Sequence, residues 1–418
     1  MRIGIDIRLI GKQRTGDEAV VFNLVKNLAK IDGKNEYVLF TDIIDEEILK
    51  SISGQLGIAD KNNFKIVSLS TGSRFVWNCW TLPKYLRKNP VDVYHTQYIT
   101  PWFVPKNVHP HTNDNDNWFW SNSIVRVLEK WYINWHIKHF GVGVKIVTII
   151  HDISFNFFPQ MLKFSDLFFL KLLIPISLKR ADKVIGVSQF TKNEIVKFYK
   201  IDSEKVDSIH NSISDDFLSG QISEERSAEV RKKYDLPEKF ILYVGTLQPR
   251  KNIPMLIEAY AKTKQRLGNI KLVICGNRKA NNYDQKIDEV LENNDLENEV
   301  VFPGFIDEED KKYVFASAHV FAFPSLYEGF GIPVLEAMSR NVPVLASDIP
   351  SLKEIAGDGA LYFDVSSLDD FSQKLYDICT DDLLREKLIR AGSLRVSFFS
   401  WEKSAAKMLA IYEKLGNN

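Results

Sequence analysis

The sequence predicts an α/β protein made of two doubly wound parallel sheets that face each other across a central cleft. Three observations predict it. Short β-branched runs alternate with segments of helical period along the whole chain. The runs are apolar throughout, as in strands covered on both faces. At 418 residues the chain exceeds what one core ordinarily holds, and a polar stretch near its middle separates two such series.

In the first series, strands are predicted at "IGIDI" (3–7), "YVLF" (37–40), "KIVSL" (65–69), "VDVYH" (91–95), "KIVTII" (145–150) and "KVIGVS" (183–188). Between the first two, Val20, Val21, Leu24, Val25 and Leu28 recur at helical spacing. These elements make a first domain, 1–212. The charged segment 213–237 is the expected linker. A second domain, 238–398, carries "FILYVG" (240–245), "KLVICG" (271–276), "VVFPGF" (300–305), "VFAFPS" (320–325), "VPVLAS" (342–347) and "ALYF" (360–363). The last stretch, 399–418, reads as an amphipathic helix expected to pack back across the domains. No short-period repeat points to a solenoid. Two tandem doubly wound domains place a cleft at the carboxyl ends of their strands.

Composition narrows the function. Lys plus Arg and Asp plus Glu each total 54, a formal net charge of zero, which argues against nucleic acid as the main partner. Cys79, Cys275 and Cys379 lie far apart, as expected of reduced cytosolic thiols and not of a disulfide framework or zinc site. The N-terminal run carries Arg2, Asp6 and Arg8 and reads as a strand, not a signal peptide. "FFLKLLIPISL" is interrupted by Lys171 and Pro175 and is too short to span a bilayer. Contact with a membrane surface stays open.

Two loops carry the chemistry. "VGTLQPRKNI" (244–253) follows a strand and enters a helix with one glycine, Gly245, and the cations Arg250 and Lys251. It lacks both glycine-rich phosphate signatures. Cations at a strand-to-helix junction can meet a phosphate together with helix amides; adjacent basic residues are otherwise an ordinary solvated face. The second loop, "PSLYEGFGIPVLEAM", starts at a strand end. Gly329 and Gly331 permit close backbone approach, and Pro333 suits a helix first turn whose free amides face an anion. Glu328 and Glu336 flank that turn, and carboxylates suit sugar and ribose hydroxyls. Two solvated acids around a turn are the plainer reading.

"YVGTLQPRKNIPMLIEAY" and "EGFGIPVLEAM" resemble the donor-site signatures of glycosyltransferase family 4 (glycosyltransferase group 1). "IGIDIRL", "IVTIIHDISF", "VIGVSQFTKNEI" and "FSWEKSAAKML" extend the resemblance over nearly the whole chain. The resemblance implies the GT-B fold, two Rossmann-like domains, and a retaining sugar transfer without metal or other cofactor. It implies that Arg250 and Lys251 hold the donor diphosphate, with Gly245 and Thr246 in the same loop. It implies that Glu336 binds ribose, and that Glu328 with the amides of Gly329, Phe330 and Gly331 holds the donor sugar. His151 would reach the sugar from the first domain, and Asp152 would orient it. Many family members carry Arg where this chain has Thr246. The subgroup with "GTLxPRKN" is similar to mannosyltransferases that use GDP-mannose, which makes mannose the first donor expectation. The loop after the first strand, "GKQRTGDEAVV", has fewer glycines than the family pattern. Gly16 and Asp17 there are the expected acceptor-side residues. Thr15 or Asp17 also fits a helix N-cap, while the acidic pair Asp17 and Glu18 would repel an acceptor phosphate and suit hydroxyls.

The expected acceptor is a glycan or lipid-linked saccharide of a surface polysaccharide, handled in the cytoplasm at the inner face of the membrane. A non-catalytic nucleotide-sugar-binding partner, a nucleotide-sugar epimerase and a phosphorylase on a similar fold are the competing readings. An insertion at about 107–144 adds "DND" (114–116), read as a polar turn and not a metal motif. It also adds a stripe of Ile124, Leu128, Trp131 and Trp135 beside Arg126, Lys130 and Lys138. That stripe fits a membrane interface or acceptor lid, or packing on its own domain. The oligomeric state is not legible.

Overall fold

The computed structural model describes residues 1–418 except 13–15, 72, 74–75, 102–143, 220, 281 and 418. The first domain is built on β1 (Arg2–Asp6), α1 (Gly16–Ile31), β2 (Glu36–Thr41), α2 (Glu46–Leu56), β3 (Phe64–Ser68), a π-helical turn Trp77–Thr81 that runs into α3 (Leu82–Lys88), β4 (Val93–Gln97), β5 (Lys145–Ile150), α4 (Phe164–Arg180), β6 (Lys183–Gly186), α5 (Gln189–Tyr199) and β7 (Val206–Ser208). Its seven strands are ordered β3-β2-β1-β4-β5-β6-β7, and each pairing is parallel. The strand β7 has no counterpart among the expected runs. It is three residues long and only Val206 is buried, so it leaves no apolar run to read.

Along β5, Ile146 and Ile150 pack into one buried cluster and Val147 and Ile149 into another. The side chains of a strand alternate between faces, so a continuously apolar run is what a sheet covered on both sides requires. The expected strands of the second series are present as β8 (Phe240–Val244), β9 (Lys271–Cys275), β10 (Val300–Gly304), β11 (Val320–Phe323), β12 (Val344–Ser347) and β13 (Ala360–Phe363). They form a parallel sheet ordered β10-β9-β8-β11-β12-β13.

The helices after β7 are α6 (Asp215–Leu218), α7 (Glu224–Lys233), α8 (Ile253–Leu267), α9 (Lys286–Asn293), α10 (Glu308–Ala316), α11 (Ile332–Ser339), α12 (Pro350–Ala356), α13 (Leu368–Thr380), α14 (Asp382–Val396) and α15 (Trp401–Gly416). Segment 213–237, expected as a linker, holds α6 and α7, each capped by a serine: Ser214 and Ser223 accept from Phe217 N and Arg226 N. Val230, Tyr234 and Leu236 are buried. Arg226, Lys233 and Tyr234 all reach the fully buried carboxylate of Asp310 on α10. The segment is polar because α7 covers the second domain with one face only.

The terminal helix α15 packs against α1 and β4 of the first domain. Tyr412 Oη bonds His95 Nδ1 at its centre, and both residues are buried. Burial pushes the His95 imidazole down to about 3, so the ring sits neutral in the core. Replacing Tyr412 with Phe leaves that imidazole without its hydroxyl partner. The expected outcome is a loss of about 1–3 kcal/mol, read as a lower urea midpoint of the intact chain.

Candidate active site

In each sheet the strand order reverses once, and ligands of doubly wound sheets bind outside the carboxyl ends of strands at such a reversal. In the second domain the reversal lies between β8 and β11. The loop after β8 carries Arg250 and Lys251, and the loop after β11 carries Glu328. Leu326 N donates to Arg250 O at 2.8 Å and ties the two loops together. Pro249–Lys251 form a short 3-10 turn, and Asn252, with φ +55°, turns the chain into α8. Gly331, with φ +105°, turns the second loop into α11, a conformation that glycine adopts without strain.

The three charged side chains converge. Arg250 Nη1 donates to Glu328 Oε2 at 3.2 Å and to Tyr327 O at 3.0 Å. Lys251 Nζ donates to Glu328 Oε1 and lies over the Phe323 ring. Lys251 and Glu328 are each 7% exposed. Burial, then the neighbouring Arg250 charge, push the Lys251 ammonium down to about 8 against the pull of Glu328. Burial alone would raise the Glu328 carboxyl, but Lys251 and Arg250 hold it below the usual carboxylate range. Two largely buried cations thus share one carboxylate. Glu336, buried on α11, accepts from Lys311 Nζ of α10 at 2.6 Å. Thr246 is exposed, and its carbonyl accepts from Tyr243 Oη; Gly245 N donates to Cys275 O.

In the first domain the reversal lies between β1 and β4. His151, after β5, is buried with Nε2 3.0 Å from Gln97 Oε1 at the end of β4. Its Nδ1 is 3.6 Å from Asp17 Oδ1, and its ring packs on Tyr98, whose backbone has φ +56°. Asp17 lies inside the first turn of α1, which begins at Gly16, so it does not cap that helix; Thr15 is outside the described residues. Asp152 accepts from Ser154 N and Ser154 Oγ and so braces its own turn. Sequence reasoning missed Gln97 and Tyr98, although they stand at a strand end as His151 does.

It also missed the seam between the domains. A Cβ on Gly329 would collide with the His151 carbonyl oxygen, so glycine is needed there for domain contact. Ser188 Oγ and Thr191 Oγ1, at the start of α5, both donate to Gly329 O. Phe330 packs on His210 and Phe399. Glu354 of α12 accepts from Gln189 N, Phe190 N and His210 Nε2, each at 2.7 Å. "SQFT" after a strand was a readable helix-cap signal; nothing local marks Glu354.

Among the described residues no group of His, Cys, Asp and Glu could hold a metal ion, and no helix is long and apolar enough to cross a membrane. The aromatic insertion and its "DND" lie in 102–143, outside the described residues; Val144 is buried.

Comparison with known proteins agrees with this architecture. Residues 226–395 match the family model for glycosyl transferases group 1, and 131–217 match that for glycosyltransferase family 4. The O-antigen chain mannosyltransferase B of Escherichia coli is 31% identical over 276 residues, which is 65% of this chain and 71% of that protein. The O-antigen chain mannosyltransferase RfbU of Salmonella typhimurium is 32% identical over 213 residues, 51% of this chain and 55% of that one. A solved glycosyltransferase from Rickettsia africae superposes with a TM-score of 0.69 at 19% identity, covering 100% of this chain and 99% of its own. The chain belongs to the group 1, family 4 glycosyltransferases, and its fold is GT-B.

Proposed function

We propose that this glycosyltransferase moves a hexose, mannose from GDP-mannose, to a glycan or lipid-linked saccharide in surface polysaccharide synthesis. The transfer retains configuration and uses no metal, and it takes place in the cytoplasm at the inner face of the membrane. The observation that carries the reading is the pair of largely buried cations, Arg250 and Lys251, sharing the single carboxylate of Glu328. Asp152 of the first domain also acts on both cations, and a nucleotide diphosphate at the strand reversal would take the place of these carboxylates as their counter-ion. The names of the O-antigen mannosyltransferases support mannose and a polysaccharide acceptor.

The roles follow from charge development. As the glycosidic bond breaks, negative charge grows on the diphosphate, and fixed cations in a low-dielectric site stabilise it. The diphosphate takes over Arg250 and Lys251, and Glu328 turns its oxygens to the sugar hydroxyls. The amides of Gly329, Phe330 and Gly331 contact the sugar, Gly245 and Thr246 line the diphosphate loop, and Glu336 binds ribose. His151, oriented by Gln97 and Asp17, approaches the sugar from the first domain. Gly16, Asp17 and Asp152 border the acceptor. Positioning by domain closure supplies the remainder of the rate.

In a thermal-shift screen of nucleotide sugars, GDP-mannose is expected to stabilise the protein and to lose that effect in Glu336→Ala. A different stabilising donor overturns the mannose assignment. Replacing Arg250 and Lys251 together with Gln is expected to cut turnover by about 10²–10³-fold in a radiolabelled transfer assay, while EDTA leaves the wild-type rate unchanged. Lys251 is charged below about 8, and a bound diphosphate favours its charged form. GDP affinity is therefore expected to fall as pH rises through about 8, with proton uptake on binding seen as a buffer-dependent heat in calorimetry. Lys251→Met removes the proton uptake.

A further inference from the structure

The loop that carries Glu328 is not held by its own domain alone. Tyr327 packs among Phe157, Phe158 and Phe190 of the first domain, with ring centroids 5.4, 6.5 and 5.5 Å away. Glu328 turns the other way, onto Arg250 and Lys251. The Gly329 carbonyl then accepts from Ser188 Oγ at 2.6 Å and Thr191 Oγ1 at 3.0 Å. Both hydroxyl residues are fully buried, at 0% exposure. A carbonyl oxygen has two lone pairs, and here two donors from another domain take them.

We propose that the first turn of α5, in the first domain, is a positioning element of the donor site: Ser188 and Thr191 aim the 328–331 loop, and Glu354 locks that turn in place from the second domain. The proposal rests on the donor-site reading above and deepens it. Two bonds to one carbonyl fix the plane of the peptide between Gly329 and Phe330. In a trans peptide the Phe330 N–H points opposite to the Gly329 C=O. Holding the carbonyl toward α5 therefore turns that amide away from α5. This amide is one of those assigned to the donor sugar, and Glu328 is the preceding side chain.

The clamp runs both ways. The first amides of a helix have no partner within it. In α5, Gln189 N and Phe190 N are taken by the Glu354 carboxylate, and Thr191 N by the Ser188 hydroxyl. Burial would raise the Glu354 carboxyl, but His210 and the two amides hold it below the usual range. The favourable charge of a carboxylate at a helix N-terminus is thus realised across the seam. His210 extends the clamp: its ring faces Phe330 and Phe399, and its carbonyl accepts from Ser404 of α15. When the domains part, Gly329 loses both donors and α5 loses its carboxylate at once. The donor loop is aimed only in the closed molecule.

The test uses the full chain with Thr191→Val, which keeps the shape and drops the hydroxyl, Thr191→Ser, which keeps the hydroxyl, and Glu354→Gln. Ser188 is left intact because it also caps α5. Thr191→Val and Glu354→Gln are expected to lower kcat by about tenfold or more. GDP affinity, set by Arg250 and Lys251, stays within about threefold. Amide exchange over 326–332 speeds up by about tenfold, and Thr191→Ser restores both rate and protection. Unchanged kcat and exchange in Thr191→Val and Glu354→Gln overturn the proposal, as does a serine variant that behaves like the valine one. Should Thr191→Val unfold, Glu354→Gln decides by the same readings. A wild-type protein that neither transfers sugar nor binds GDP or UDP refutes the donor-site reading instead, and amide exchange in the variants still decides the clamp.

Discussion

Two cations held out of water beside one carboxylate set the terms for this molecule. Removing a charge from water is unfavourable unless a partner is fixed next to it. Lys251 is buried and Arg250 largely so, and the loop after β8 contains no acid to pair them. The partner, Glu328, arrives from 77 residues downstream. Its arrival depends on β11 lying beside β8 in the sheet, on the bond from Leu326 N to Arg250 O, and on the left-handed turn at Gly331. Sheet order, loop tie and glycine turn all serve to bring one carboxylate to two cations.

The same loop is a point of close contact between the domains. Gly329 lies against the His151 backbone with no room for a side chain. His151 is in turn placed by Gln97 at the end of the neighbouring strand and faced by Asp17 from α1. The ion cluster of one domain and the histidine of the other are therefore connected through one short segment, Tyr327–Gly331. Any hinge motion that separates the sheets must break contacts made by this segment. Such coupling is what the proposed transfer by domain closure would need, because water exclusion strengthens charge stabilisation.

Parts remote from the cleft also join the two domains. The terminal helix leaves the second domain and returns to the first, where Tyr412 meets His95 in the core. On the way, Ser404 bonds the His210 carbonyl, and His210 bonds Glu354. The segment after β7 is bound to the second domain through Asp310. Among the described residues the chain thus crosses between the domains at two places, and each crossing is fastened by polar contacts to a buried group, Asp310 or His95.

The sequence by itself determined the elements and the loops that matter. Strands covered on both faces must be apolar throughout, so "KIVTII" and "VFAFPS" could be read without a structure. A strand end followed by glycine, cations or paired acids marks a candidate site, so Arg250, Lys251, Glu328, Glu336 and His151 were legible. The brief strand Val206–Ser208 was not, because one buried residue makes no pattern. The helices in 213–237 were hidden because a helix that covers a domain with one face looks like a polar linker. What only the tertiary structure decided was which loops meet. Local sequence carries no record of strand order, so it could not reveal that Glu328 pairs both cations or that Lys311 pairs Glu336. The seam of Ser188, Thr191, Gly329 and Glu354 was equally invisible, since its hydrogen bonds join residues more than a hundred positions apart and exist only where the two domains pack on each other.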